Sequence, residues 1–128
     1  MSAKAVAILA AVFVVATGVV SVTTRSAARE ITLVAKEMAF YLAGDEATPN
    51  PVIEARPGET LRIVLQNRER GMTHDFAVPA ADAATRVLNW NEDGAVTFEV
   101  PKEPGTYEYV CRPHLLMMRG TLRVVASE

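Results

Sequence analysis

Hydrophobic and polar positions alternate along much of this chain with a period of two, and the N-terminal end alone departs from it. Leu61, Ile63 and Leu65 are interleaved with Arg62, Val64 and Gln66, the pattern of a half-buried strand. Apolar-rich runs at 31–35, 51–55, 75–78, 96–100, 106–111 and 121–125 read as further short strands. Between them lie turn signals: Gly44, Pro49 and Asn50 after the first, Pro57 and Gly58 before Leu61, and Pro101 to Gly105 before Thr106. Residues 79–95 are the least strand-like and have room for a helical turn. Short strands with turns about every 8–12 residues, and no long helical period, predict an all-β sandwich or barrel.

The exception is residues 5–22, an apolar run without a charge. As a helix it would span about 27 Å, close to the roughly 30 Å of a bilayer's hydrocarbon. A cleaved secretory signal usually has a shorter apolar region, about 7–15 residues, ending at an A-x-A-like site. Only Ala16-Thr17-Gly18 and Ser26-Ala27-Ala28 offer small residues there, so a hydrophobic anchor helix is the preferred reading over a cleaved signal. No cysteine near the N-terminus could carry a lipid. Lys4 against Arg25 and Arg29 sets no orientation. Either reading exports the rest, dividing the chain into a signal or anchor segment with linker, 1–29, and one folded domain, 30–128.

The chain has 13 basic and 15 acidic residues. Without Lys4, Arg25 and Arg29 the domain has 10 against 15, a net charge of −5. That balance argues against nucleic acid as a partner. Scarcer residues change the picture more. Cys111 is the single cysteine, and His74 and His114 are the only histidines. A lone thiol in an exported protein has no disulfide partner and calls for another occupant.

A metal fits that role. Cys111, His114, Met117 and Met118 fall in one loop between two expected strands, and His74 lies at the edge of another. One thiolate, two imidazoles and one weak thioether form the donor set of blue-copper electron-transfer sites. Four protein donors leave no open position for substrate, unlike catalytic zinc. A multicopper oxidase would need more histidines, and a binuclear copper centre a second cysteine.

Residues 30–128 resemble the cupredoxins of the plastocyanin/azurin family, the type 1 blue copper proteins. The frame Tyr107-x-Tyr109-x-Cys111-x-Pro113-His114 resembles the plastocyanin and amicyanin loop, and Met118-Arg119-Gly120 the Met-x-Gly that rejoins the last strand. Gly71-Met72-Thr73-His74-Asp75-Phe76 is similar to the upstream histidine site. The resemblance implies a Greek-key β-sandwich or barrel of about seven to eight strands holding one copper ion, Cu(I)/Cu(II). It implies His74, Cys111 and His114 as equatorial ligands and Met118 as the axial one, with the family's spacing to Gly120; Met117 is the alternative. The family usually has Asn where Asp75 stands, tying the two ligand loops together, so the change bears on that bond.

The expected function is therefore electron transfer rather than enzymatic catalysis: a monomer shuttling one electron between redox protein partners at the periplasmic or other extracytoplasmic face of the membrane. His114 is implied as the electron port, with Leu115 and Leu116 as a docking patch and Arg112 and Arg119 at its rim. The alternative is a periplasmic copper-binding and delivery protein, because Met72, Met117 and Met118 are three of the four internal methionines.

Overall fold

The computed structural model describes residues 12–127. Nine strands form two sheets: β1 (Arg29–Lys36), β2 (Ala39–Leu42), β3 (Ile53–Ala55), β4 (Thr60–Asn67), β5 (Ala77–Val78), β6 (Ala83–Ala84), β7 (Asp93–Glu99), β8 (Gly105–Val110) and β9 (Arg119–Val124). One sheet runs β2-β1-β4-β7 and the other β3-β9-β8-β5-β6, so the fold is the expected all-β one. Two pairings, β1 with β4 and β3 with β9, are parallel and require the chain to cross between sheets.

The alternation in β4 works as the sequence requires. Leu61, Ile63 and Leu65 are completely buried, while Arg62 faces out. In register with them stand Leu33 opposite Leu65 on β1 and Phe98 opposite Leu61 on β7. The second sheet contributes Ile53, Tyr109, Leu122 and Val124 to the same core. Tyr109 packs edge-on to Phe40 with ring centroids 5.4 Å apart, and stacks on Phe76 at 5.3 Å. Its hydroxyl donates to the Pro51 carbonyl at 2.7 Å, so the buried ring has its polar end satisfied.

Strand β2 was not expected from the pattern. It pairs with β1 through a tight turn at Glu37 and Met38, both in the left-handed region with φ of 50° and 55°. Glycine or asparagine usually marks such a turn, and neither is present here. The span 79–95 holds a 3₁₀ turn, Pro79–Ala81, followed by the short β6.

The hydrophobic helix expected over 5–22 lies partly outside the described residues. Its described part has no regular secondary structure: residues 12–28 run exposed up to β1, which begins at Arg29, the last residue expected in the linker. No helix among the described residues is long and apolar enough to cross a membrane. In the described part, 12–28, six valines and three threonines make up nine of the seventeen residues and Gly18 interrupts them, so the intrinsic helix propensity of this part is low. A bilayer, which demands internally satisfied backbone groups, would change that balance.

Candidate metal centre

Two connections between strands bring the candidate donors together. After β8 the chain makes a 3₁₀ turn, Arg112–His114, and rejoins the sheet at Arg119. Pro113 suits the first turn of such a helix, where its missing N–H costs nothing. The Cys111 amide donates to the Met118 carbonyl at 3.0 Å, and the Met118 amide to the His114 carbonyl at 3.0 Å. These bonds draw Cys111 and Met118 to facing positions where the loop joins the sheet. Both side chains are completely buried, whereas Met117 is 62% exposed.

His74 comes from the other connection. Its backbone exchanges hydrogen bonds with Leu88, at 3.1 and 2.7 Å, forming an isolated bridge. Buried Asn67, at the end of β4, shapes the loop before it. Its Nδ2 donates to the carbonyls of Met72 and Leu88 at 2.8 and 3.0 Å, and its Oδ1 accepts from the Glu69 amide at 2.9 Å.

His74 Nδ1 lies 3.6 Å from Cys111 Sγ, and the His74 and His114 ring centroids are 5.0 Å apart. Both Nε2 atoms are engaged elsewhere. His74 Nε2–H donates to Glu69 Oε2 at 2.7 Å, and His114 Nε2–H to the Thr73 carbonyl at 3.1 Å. A carboxylate and a carbonyl only accept, so each neutral ring carries its proton on Nε2 and keeps a lone pair on Nδ1. Among the described residues no three His, Cys, Asp or Glu side chains already close on one point. The arrangement is a thiol against one imidazole, with a second imidazole and a buried thioether at the same loop junction. Soft sulfur combined with imidazole nitrogen fits copper and disfavours the hard, oxygen-seeking cations.

Burial sets the protonation of this centre. Desolvation pushes the His74 imidazole pKa down, outweighing the opposite pull of Glu69, so the ring is neutral near pH 7. Burial pushes the Cys111 thiol up, so in the metal-free protein it holds its proton. Metal binding must release that proton, because only the thiolate is a ligand. Between about pH 7 and 8, where His74 is already neutral, uptake is expected to release about one proton from Cys111. Apparent affinity should then rise about tenfold per pH unit. Competition titrations with a Cu(I) chelator at the two pH values check this; a pH-independent affinity would mean that the thiol is not a ligand.

The bond that Asp75 put in question is present. Its completely buried carboxylate accepts from the Arg112 amide at 2.7 Å and from Arg112 Nε at 2.5 Å, linking the residue after His74 to the residue after Cys111. A buried carboxylate needs such a partner, and the guanidinium balances its charge. Arg112, expected at a docking rim, is thus committed to the loop junction, while Arg119 pairs with Glu108. Leu115, Leu116, Met117 and Met72 are 51%, 92%, 62% and 41% exposed around these loops. A groove lined by Arg25, Arg29, Glu54, Glu59 and Glu99 lies elsewhere and includes none of the donors.

Sequence reasoning passed over Asn67, Glu69 and the Arg112 guanidinium. Glu69 gave no signal because an isolated acidic residue in a loop is ordinarily solvated.

Two stacked sheets with a Cys, His and Met cluster at the strand connections define a blue-copper domain. The chain belongs to the family of copper-binding proteins of the plastocyanin/azurin type, whose model matches residues 30–125, and its cofactor is one copper ion. Among solved structures it is similar to auracyanin A, a "blue" copper protein from Chloroflexus aurantiacus, at 22% identity and a TM-score of 0.60, over 77% of this chain and all of that one. Auracyanin B matches at 25% identity and a TM-score of 0.63, over 80% of this chain and 93% of its own. Rusticyanin from Thiobacillus ferrooxidans matches at 22% and 0.56, over 75% and 76%. No curated protein sequence matches the chain.

Proposed function

We propose that this cupredoxin carries single electrons between redox proteins outside the cytoplasm, with copper held by His74, Cys111, His114 and, more weakly, Met118. The observation that carries the reading is the 3.6 Å approach of His74 Nδ1 to Cys111 Sγ while both histidine Nε2 atoms are engaged elsewhere. The bound copper supplies a site that takes up and gives back one electron. The protein's part is to hold its donors still. Short backbone bonds lock the 111–118 loop, and the Asp75–Arg112 pair ties it to the His74 loop, so that a change of metal charge requires little rearrangement. Four protein donors leave no place for a substrate, which favours a carrier over an enzyme. A visible spectrum through repeated oxidation and reduction tests the reading: an intense absorption band that returns on every cycle supports it, and a colourless Cu(II) form overturns it.

Copper delivery is the second reading, favoured by the exposure of Met72 and Met117, whose thioethers suit Cu(I). Ready loss of the metal to a chelator in either oxidation state would favour it. The domain division at about residue 30, with the apolar N-terminal run as a membrane anchor or export signal, belongs to the carrier reading, as does a monomeric state.

Met118 and Met117 are expected to respond unequally to substitution. Met118→Gln should change reduction potential and spectrum with copper retained, because an axial ligand tunes the site more than it holds the ion. Met117→Gln should alter neither, since that side chain is largely in solvent. Voltammetry on both variants decides, and the reverse order would move the fourth ligand to Met117.

His114 is the half-buried member of the set, and exposed Leu115 and Leu116 follow it directly. A transient redox complex has a small interface, below about 1,200 Å². Leu115→Asp or Leu116→Asp should slow electron exchange with the partner while the visible spectrum stays unchanged. Stopped-flow rates equal to wild type in both variants would place the docking face elsewhere.

A further inference from the structure

Glu69 has a place in the structure that its sequence context gave no reason to expect. Its side chain is only 18% exposed. One carboxylate oxygen, Oε2, accepts from His74 Nε2–H at 2.7 Å and from the Met38 amide at 3.1 Å. Its own amide is held by Asn67 Oδ1 at 2.9 Å. The carboxylate thus sits between the β1–β2 turn and the His74 ring, fixed from both sides.

The neighbouring cations do not neutralise it. Arg68 pairs with Asp93 at 2.8 Å, and Arg70 stacks over Trp90, 4.0 Å from the ring centroid. Among the described residues the only ionisable partner of Glu69 is His74. The two histidines therefore differ. His114 gives its Nε2 proton to a neutral backbone carbonyl, and His74 gives its own to a carboxylate. A carboxylate accepting from the far nitrogen fixes an imidazole's tautomer and orientation, and makes the near nitrogen a stronger donor. Negative charge one ring away from an ion also favours the more highly charged of its two oxidation states.

We propose that Glu69 is a positioning residue of the copper site, which holds the His74 ring with Nδ1 toward Cys111 and biases the site toward Cu(II), lowering its reduction potential. The inference rests on the copper assignment above and adds to it a residue outside the ligand set. Asp75 acts differently, because it bonds to backbone and guanidinium and joins the loops without touching an imidazole.

The test compares wild type with Glu69→Gln, which keeps the shape and an acceptor oxygen but loses the charge, and Glu69→Asp, which keeps the charge on a shorter arm. In Glu69→Gln, Cu(II) should bind about tenfold more weakly relative to Cu(I), within the range for loss of a group supporting a ligand. For a one-electron couple that is a rise in midpoint potential of about 59 mV. Glu69→Asp should recover part of the shift, and all three proteins should remain blue. In the metal-free proteins, nitrogen NMR should find His74 protonated on Nε2 in wild type, with the tautomers mixed in Glu69→Gln. A blue Glu69→Gln protein with an unchanged potential overturns the proposal and leaves the copper assignment standing, as does an unchanged His74 tautomer. A colourless wild-type Cu(II) protein overturns the assignment itself, and the redox role of Glu69 with it.

Discussion

Cys111→Ser is expected to abolish the intense visible absorption of the copper-loaded protein while leaving the domain folded. Such absorption is charge transfer from sulfur to copper and requires the thiolate. Serine is nearly isosteric, but its shorter C–O bond sets the hydroxyl back from His74 Nδ1, which faces Sγ at 3.6 Å, beyond the reach of an O–H···N bond. A buried hydroxyl left without a partner costs about 1–3 kcal/mol, a loss the domain should survive folded. Copper affinity should fall much further, because an alcohol is neither soft nor ionised at neutral pH. Absorption spectra, metal content and a melting curve on the same samples separate these effects. A variant that stays intensely coloured would exclude Cys111 as the ligand.

Gly120→Ala should cost more stability than any surface change in the domain. Gly120 stands opposite Tyr109 across the β8–β9 pair, and an added Cβ would overlap Cζ, Cε1 and Oη of that ring. The ring has no room to retreat: it is completely buried between Phe40 and Phe76, and its hydroxyl is bonded to Pro51. Forcing an extra carbon into a packed core costs about 1–3 kcal/mol, occasionally more. With the obstacle a pinned aromatic ring we expect the upper end, about 3 kcal/mol. For a domain of this size that lowers Tm by roughly 12–24 °C. Gly120 also follows Met118 by two residues, so the spectrum of any folded variant should shift. A Tm within about 2 °C of wild type would show that Tyr109 moves aside at little cost. The glycine of the Met-x-Gly pattern thus has a local cause, a tyrosine on the neighbouring strand.

Much of the strand layout was legible because its signal is local. The period of two in β4 assigns Leu61, Ile63 and Leu65 to one face, and a one-residue slip would expose all three. The turn into β2 was not legible, because Glu37 and Met38 adopt left-handed backbone without a residue that advertises it. There the β1–β2 pairing overrides local preference.

The candidate donors were legible for a different reason. Cys111, His114 and Met118 lie in one loop, and His74 is the only histidine left to complete the set. Which of two adjacent sulfurs faces inward depends on how the loop closes. The bond from the Cys111 amide to the Met118 carbonyl, with both side chains in the core, leaves Met117 in solvent.

By itself, then, the sequence determined the all-β character of the domain, its buried faces and the candidate donor set, because residue type and short spacings carry each of these. The partners of those donors were decided only by tertiary structure. Asp75 meets Arg112 across 37 positions and Tyr109 meets Pro51 across 58, while Glu69 and Met38 are 31 apart. Hydrogen bonds and packing act over a few ångströms in space, so which carboxylate pairs with which cation, and which glycine lies beneath which ring, is settled when the strands take their places beside one another within each sheet.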